Sequence, residues 1–147
     1  MIALGCDHGG FDLKNAIKAY LEENDIPYRD FGCMTPESID YPPIAAAVAH
    51  SITGGECEKG ILCCGTGIGM SIAANKVTGI RASVCTNEFC TEMTRLHNNA
   101  NILCLGGRVI DEAMAVKLAQ IFLTTPFDGG RHLNRVNLIK KIEDGEL

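Results

Sequence analysis

Short apolar runs that end in glycine or polar residues alternate along this chain with longer segments of helical period. The runs predict five β-strands, at residues 2–6, 28–32, 60–64, 81–85 and 102–106. A candidate helix follows each strand, and repeated βα units are typical of a parallel sheet covered by helices. The pattern therefore predicts an α/β fold.

The segments between the strands carry helical signals. Residues 11–24 place Leu13, Ile17 and Leu21 on one face and lysines on another, as a helix that covers a sheet requires. Prolines open the segment 41–52 and suit a first helical turn. The predicted helices are residues 11–24, 41–52, 112–123 and about 131–144, with another that begins near Ile68. We expect the last helix, which follows a glycine pair, to dock on another surface, such as a subunit interface.

Length and composition fit one domain over residues 1–147, because 46% of the residues are hydrophobic and can form a core. The formal net charge of −5 argues against a nucleic-acid partner, since phosphate contacts need a clustered basic face. No signal-peptide pattern and no run of 18 apolar residues occurs, so we expect a cytoplasmic protein without a membrane partner. Its eight cysteines are then expected to be reduced thiols, most of them buried.

Polar residues and glycines concentrate where the predicted strands end. The first strand ends in "CDHGG" and the third in "CCGTGIG", while "TNE" follows the fourth and "GGR" the fifth. Ligands of open parallel sheets collect beyond the carboxyl ends of the strands. We therefore expect the functional site at this edge.

Two adjacent cysteines, Cys63 and Cys64, end the third predicted strand. Successive strand residues point to opposite faces, so both cannot serve one pocket. Cys64 adjoins Gly65 and precedes a helix N-terminus, where free N–H groups favour a thiolate. The glycines of "GTGIG" let backbone N–H groups approach an oxyanion. Two interpretations of Cys64 remain: it is a base or nucleophile at the site, or both thiols only fill the core.

The glycine spacing does not match the known nucleotide-binding loops. The third glycine of the dinucleotide fingerprint is missing, and no Gly-Lys-Ser/Thr follows. Zinc is also disfavoured, because there is no C-x-x-C pair and Cys85 and Cys90 would need ligands from elsewhere. We therefore predict neither a cofactor nor a metal.

Several other polar residues have both a functional and a structural explanation. Asp7 can face the cleft or cap the first helix, and His97 can serve a site or stabilise a helix C-terminus. Arg131 and Arg135 share one helix face and could hold one anion, although solvated arginines are the commoner explanation for such a pair. Arg108 follows two glycines that would let it lie across the cleft.

Five segments together resemble the ribose-5-phosphate isomerase B family, which also includes galactose-6-phosphate and allose-6-phosphate isomerases. They are "GCDHGGFDLK", "DYPPIA", "GILCCGTGIGMSIAANKVTGIRA", "HNNANILCLGGRVI" and "GGRHLNRV", and they span essentially the whole chain. The resemblance implies a three-layer α/β/α Rossmann-like fold with a five-stranded parallel sheet in which the first and third strands are neighbours. It also implies a metal-independent aldose–ketose isomerase that works through a cis-enediolate.

The resemblance further implies roles for individual residues. Cys64 would be the base that moves a proton between C2 and C1; members without it carry a glutamate in the following helix, where this chain reads "GMSIAANK". His97 would help to open the furanose ring, and Thr66 is the third residue predicted to be catalytic. The substrate-binding residues would be Asp7, His8, Tyr41, Gly65, Thr66, Gly67, Ile68, Gly69, Asn98, Arg108, Arg131 and Arg135.

Within that set the resemblance distinguishes three tasks. The N–H groups of residues 65–69 would stabilise the enediolate, and Asp7 and Asn98 would hold sugar hydroxyls. The phosphate would lie against His8, Arg108, Arg131 and Arg135. Tyr41 would line the sugar pocket, although packing at a helix start explains an aromatic residue there equally well.

The family's site lies between two subunits of a dimer, and some members form tetramers. We therefore expect a homodimer with shared active sites, in which His97 serves the pocket of the partner. Ribose 5-phosphate is the first choice of substrate, with allose 6-phosphate or galactose 6-phosphate as the alternative. A flavodoxin-like or nucleotide-binding module and a thiol-redox protein are the rival functions.

Overall fold

The protein is described by a computed structural model that covers residues 1–147. Five parallel strands form one sheet in the order β2-β1-β3-β5-β4. The strands are β1 (Ile2–Cys6), β2 (Tyr28–Asp30), β3 (Lys59–Cys64), β4 (Ala82–Val84) and β5 (Ile102–Gly106). The predicted α/β fold and the adjacency of the first and third strands are confirmed.

Helices and one 3-10 turn connect the strands. The turn covers His8–Gly10, and the helices are α1 (Phe11–Glu23), α2 (Tyr41–Thr53), α3 (Ile68–Ala74), α4 (Glu88–Asn98), α5 (Glu112–Thr124) and α6 (Arg131–Glu143). The predicted helices differ from these by a residue at their ends. The second and fourth strands are shorter than predicted, because both lie at an edge of the sheet and are half-exposed, whereas the three central strands are almost entirely buried.

The sheet separates two apolar clusters. One contains Leu105 and Phe122 and lies on the side of α1 and α5, and the other contains Val48 and Met70 and lies on the side of α2 and α3. Cys63 belongs to the first cluster and Cys64 to the second. This confirms that the two neighbouring thiols face opposite sides of the sheet.

The chain approaches itself closely where the central strands end. A Cβ atom on Gly10 would lie 2.2 Å from the carbonyl carbon of Cys63, and one on Gly107 would lie 2.2 Å from the carbonyl oxygen of Gly9. No side chain fits at such distances, so glycine is required at both positions. Backbone hydrogen bonds join the same segments, since the N–H groups of Asp7 and Gly107 donate to the carbonyls of Cys63 and Cys64 at 3.2 and 2.8 Å.

The last helix, α6, has no buried residue and packs mainly against α4. Four large apolar side chains of this helix are exposed: Leu133, Leu138, Ile139 and Ile142. The docking of α6 on another surface stays a prediction. None of the six α-helices combines the length and the apolar character that a membrane span requires.

Candidate active site

An open cleft of about 470 Å³ lies at the carboxyl ends of the central strands. Its wall is formed by the ends of β1, β3 and β5, by the loop that leads into α3, and by the first turn of α2. The lining residues are Asp7, Tyr41, Cys64, Gly65, Thr66, Ile68, Gly69, Ile72 and Arg108. The structure thus brings together residues from three strand ends that lie about a hundred positions apart in the chain, such as Asp7 and Arg108.

Cys64 ends β3 at the bottom of the cleft and is 5% exposed. Its Sγ accepts a hydrogen bond of 3.0 Å from the N–H of Gly67, the residue that caps α3. An N–H group at a helix start, aimed at sulfur, stabilises negative charge on that sulfur. Cys63 is different, because complete burial raises the pKa of its thiol well above the ordinary value. Of the two thiols, only Cys64 lines the cleft and accepts a hydrogen bond from a helix start.

The loop from Gly65 to Gly69 is held in place by contacts that only glycine permits. Gly67 has a φ of +82°, and a Cβ atom on Gly69 would lie 2.7 Å from the Tyr41 ring. Two N–H groups of the loop are used internally, since Gly67 donates to Cys64 and Ile68 donates to Thr66 Oγ1 at 3.2 Å. Fewer N–H groups of the loop are therefore free to bind an enediolate oxygen than the five expected from the sequence.

The remaining cleft residues have defined contacts. Asp7 Oδ1 accepts from the Gly9 N–H at 2.8 Å, so this side chain caps the 3-10 turn and not α1, whose N-cap is Gly10. The same side chain also lines the cleft. The Arg108 guanidinium lies beside Gly65 and lines the cleft. His8 lies outside this lining in a neighbouring depression, where its Nδ1 accepts from the Ile39 N–H at 3.3 Å.

Four of the predicted site residues lie away from the cleft. His97 and Asn98 end α4, which returns the chain to the amino end of β5, and Arg131 and Arg135 belong to α6 beside it. The four residue steps of β5 span about 13 Å, so this group and the cleft occupy opposite ends of the strand. Within one chain the structure does not bring the two groups together.

His97 has a close neighbour that sequence reasoning missed. Its ring stacks on that of His132, with centroids 4.1 Å apart and an angle of 9° between the planes. Desolvation lowers the pKa of His132, and the charges of His97, Arg131 and Arg135 lower it further. The available signal was the position of His132 between the two arginines of "GGRHLNRV".

Ile72 is the second residue that was missed. It lies one helical turn after Ile68 on α3, and both side chains are exposed on the cleft wall. The spacing of four residues with apolar side chains was visible in the sequence.

Comparison with known proteins gives one consistent family. The family described as Ribose/Galactose Isomerase matches residues 2–139. Ribose-5-phosphate isomerase B of Escherichia coli is 46% identical over 97% of this chain and 95% of its own length. D-erythrulose-4-phosphate isomerase of Pectobacterium atrosepticum is 40% identical over 99% of this chain and 96% of its own. The structure of ribose-5-phosphate isomerase B from Clostridium thermocellum superposes with a TM-score of 0.96, at 47% identity and 99% coverage of both chains.

Proposed function

Since the chain belongs to the ribose/galactose isomerase family and is a sugar-phosphate isomerase, we propose that it interconverts ribose 5-phosphate and ribulose 5-phosphate with Cys64 as the base. The observation that carries the role of Cys64 is its Sγ in the cleft, 3.0 Å from the N–H at the start of α3. A relative of 46% identity that is named ribose-5-phosphate isomerase B supports the choice of substrate.

The proposed proton transfer needs a base and a charged-oxygen site. The Cys64 thiolate removes the proton from C2 of the open-chain aldose, and the electron pair of that bond moves toward the C1 carbonyl oxygen. Free N–H groups of the loop stabilise the resulting cis-enediolate. Cys64 returns its proton to C1, the hydroxyl proton of O2 passes to O1, and the C2 oxygen becomes the carbonyl. The N–H groups of Gly65, Thr66 and Gly69 have no partner in the chain and are the proposed donors.

The rest of the site is proposed to come from a second copy of the chain. Arg108 is the only positively charged residue that lines the cleft, and Ile68 and Ile72 leave apolar surface at its wall. A homodimer that seats the α4–α6 end of one subunit over the cleft of the other would add His97 for ring opening and Asn98 for a hydroxyl. Arg131 and Arg135 would then join Arg108 and His8 at the phosphate. Further assembly to a tetramer and the cytoplasmic location stay predictions.

A thiol-redox function finds no support in the arrangement of the cysteines. The sulfurs of Cys6 and Cys33 lie 3.6 Å apart, and both thiols are buried. Burial is the main reason why the pKa of Cys6 is raised to about 12, and a thiol in that state is a poor nucleophile. Cys63, next to Cys64, faces the opposite side of the sheet and cannot resolve it.

A six-carbon sugar phosphate is the second candidate for the substrate. A relative of 40% identity is named D-erythrulose-4-phosphate isomerase, so relatives this similar to the chain differ in the named sugar. The open cleft of about 470 Å³ does not impose a chain length by itself. Allose 6-phosphate and galactose 6-phosphate are therefore tested beside ribose 5-phosphate.

A coupled isomerase assay with these three sugar phosphates, with and without a chelator, tests the proposal. We expect the highest kcat/KM with ribose 5-phosphate and no loss of rate in chelator. Cys64→Ala should lower kcat by about 10²- to 10⁴-fold, the usual contribution of a general base, while substrate still binds. Cys63→Ala is the matched control and should stay active. Equal losses in the two variants, or a rate that chelation abolishes and a divalent metal restores, would contradict the mechanism.

A further inference from the structure

A second group of polar side chains lies where α4 ends and α6 begins. His97, Asp128 and His132 each offer one ring nitrogen or carboxylate oxygen, and the three atoms lie within 4.8 Å of one another. The Asp128 segment is tied to α4, because its N–H donates to the Leu96 carbonyl at 3.0 Å. None of the three side chains takes part in a salt bridge of the chain, so no cationic side chain is paired directly with the Asp128 carboxylate.

The donor types select a class of ion. Two imidazole nitrogens and one carboxylate oxygen form the set that zinc uses when it keeps a fourth position open. Magnesium and calcium prefer oxygen ligands alone. Imidazole binds a metal in its neutral form.

The geometry indicates an exchangeable site. Because the two rings are nearly parallel, their in-plane lone pairs do not converge, and one ring has to rotate about its χ2 angle to reach a shared ion. Both histidines are half-buried and Asp128 is exposed. Zinc bonds of about 2.0–2.1 Å place tetrahedral ligand atoms about 3.3 Å apart, so the donors have to close by a small distance. The nearby guanidinium groups of Arg131 and Arg135 oppose a cation, and Asp128 offsets part of their charge.

We propose that His97, Asp128 and His132 bind one divalent ion of the zinc type, and that the bound ion inhibits the isomerase. The inhibition rests on the proposed function, in which His97 exchanges a proton with the sugar ring. A nitrogen that is bonded to a metal cannot accept that proton. The three side chains are half-buried or exposed, so a hydrated ion can reach them.

Cobalt titration without substrate tests the site apart from the enzyme activity. We expect one Co²⁺ per chain, visible d–d bands, and no sulfur-to-cobalt charge-transfer band. Asp128→Asn and His132→Gln should each weaken binding by about tenfold or more. His50→Gln, at an exposed histidine of α2, and Cys90→Ser, at the exposed thiol, are the matched controls and should bind as the wild type does. Equal affinity in all variants, or a charge-transfer band from a thiolate, would overturn the site.

Zinc inhibition tests the second half of the proposal. Micromolar ZnCl₂ should slow the wild-type enzyme in chelator-free buffer, and a chelator should restore the rate. Asp128→Asn should keep the basal rate and need about tenfold more zinc for the same inhibition. Equal inhibition of this variant would mean that zinc acts elsewhere, for example at the Cys64 thiolate. Cobalt binding in a protein with no isomerase activity would leave the metal site standing and refute the proposed function instead.

Discussion

A mixture of two inactive variants tests whether a second subunit completes the cleft. Cys64 lies at the carboxyl end of the sheet, and His97 lies beyond the amino end of β5, about 13 Å away along that strand alone. A histidine side chain is too short to span this distance within one chain. In the proposed dimer each site therefore takes Cys64 from one subunit and His97 from the other, so the two substitutions remove groups that different subunits supply.

The expected recovery follows from symmetry. In a two-fold dimer of one Cys64→Ala chain and one His97→Ala chain, one site carries both changes and the other carries neither. Random re-association makes about half of the dimers mixed, and each mixed dimer has one intact site, so the mixture should reach roughly a quarter of the wild-type rate. The assay is the isomerase rate before and after exchange, with exchange shown independently by mixing a tagged and an untagged chain.

A second pair of variants provides the control. Arg108 and Cys64 line the same cleft of the same chain, so Arg108→Ala mixed with Cys64→Ala leaves a lesion in every site and should recover nothing. If the Cys64→Ala and His97→Ala mixture also recovers nothing after proven exchange, the two residues serve one chain's site and the shared-site proposal is wrong.

Three further predictions concern single positions. Arg135→Ala should raise KM about ten- to a hundredfold, the loss of a charge-assisted contact worth about 1.5–3 kcal/mol, and Arg135→Lys should restore only part of it; an unchanged KM would make Arg135 a solvated residue. Gly10→Ala should lower the free energy of unfolding in urea by about 1–3 kcal/mol or more, because its Cβ would lie 2.2 Å from the Cys63 carbonyl carbon; wild-type stability would show that the loops can separate freely. Lys14→Ala should lower the free energy of unfolding by about 3–5 kcal/mol, because the buried Lys14 Nζ lies 2.8 Å from Asp30 Oδ2 and its loss leaves that carboxylate unpaired. The double variant Lys14→Met with Asp30→Asn should lose less stability, and an equal loss would contradict this explanation.

Several features of the fold and the site follow from local sequence alone. The alternation of short apolar runs with helical segments determines an α/β chain, because backbone period and side-chain burial are coupled over a few residues. The strand period of two residues also places Cys63 and Cys64 on opposite faces, as the two clusters confirm. The glycines mark the strand ends where backbones meet, and Gly67 has the positive φ that glycine tolerates best.

Only the tertiary structure decides which strand ends become neighbours. Asp7, Cys64 and Arg108 share one cleft because β1, β3 and β5 are adjacent, and that order depends on how the helices pack against the sheet. The stacking of His97 on His132 likewise depends on the packing of α6 against α4. Local patterns do not encode such contacts, since each joins elements that are far apart in the chain and is stabilised by burial of surfaces that exist only after folding. The separation of His97 from Cys64 has the same origin, because α4 carries the chain back across the sheet before β5 begins.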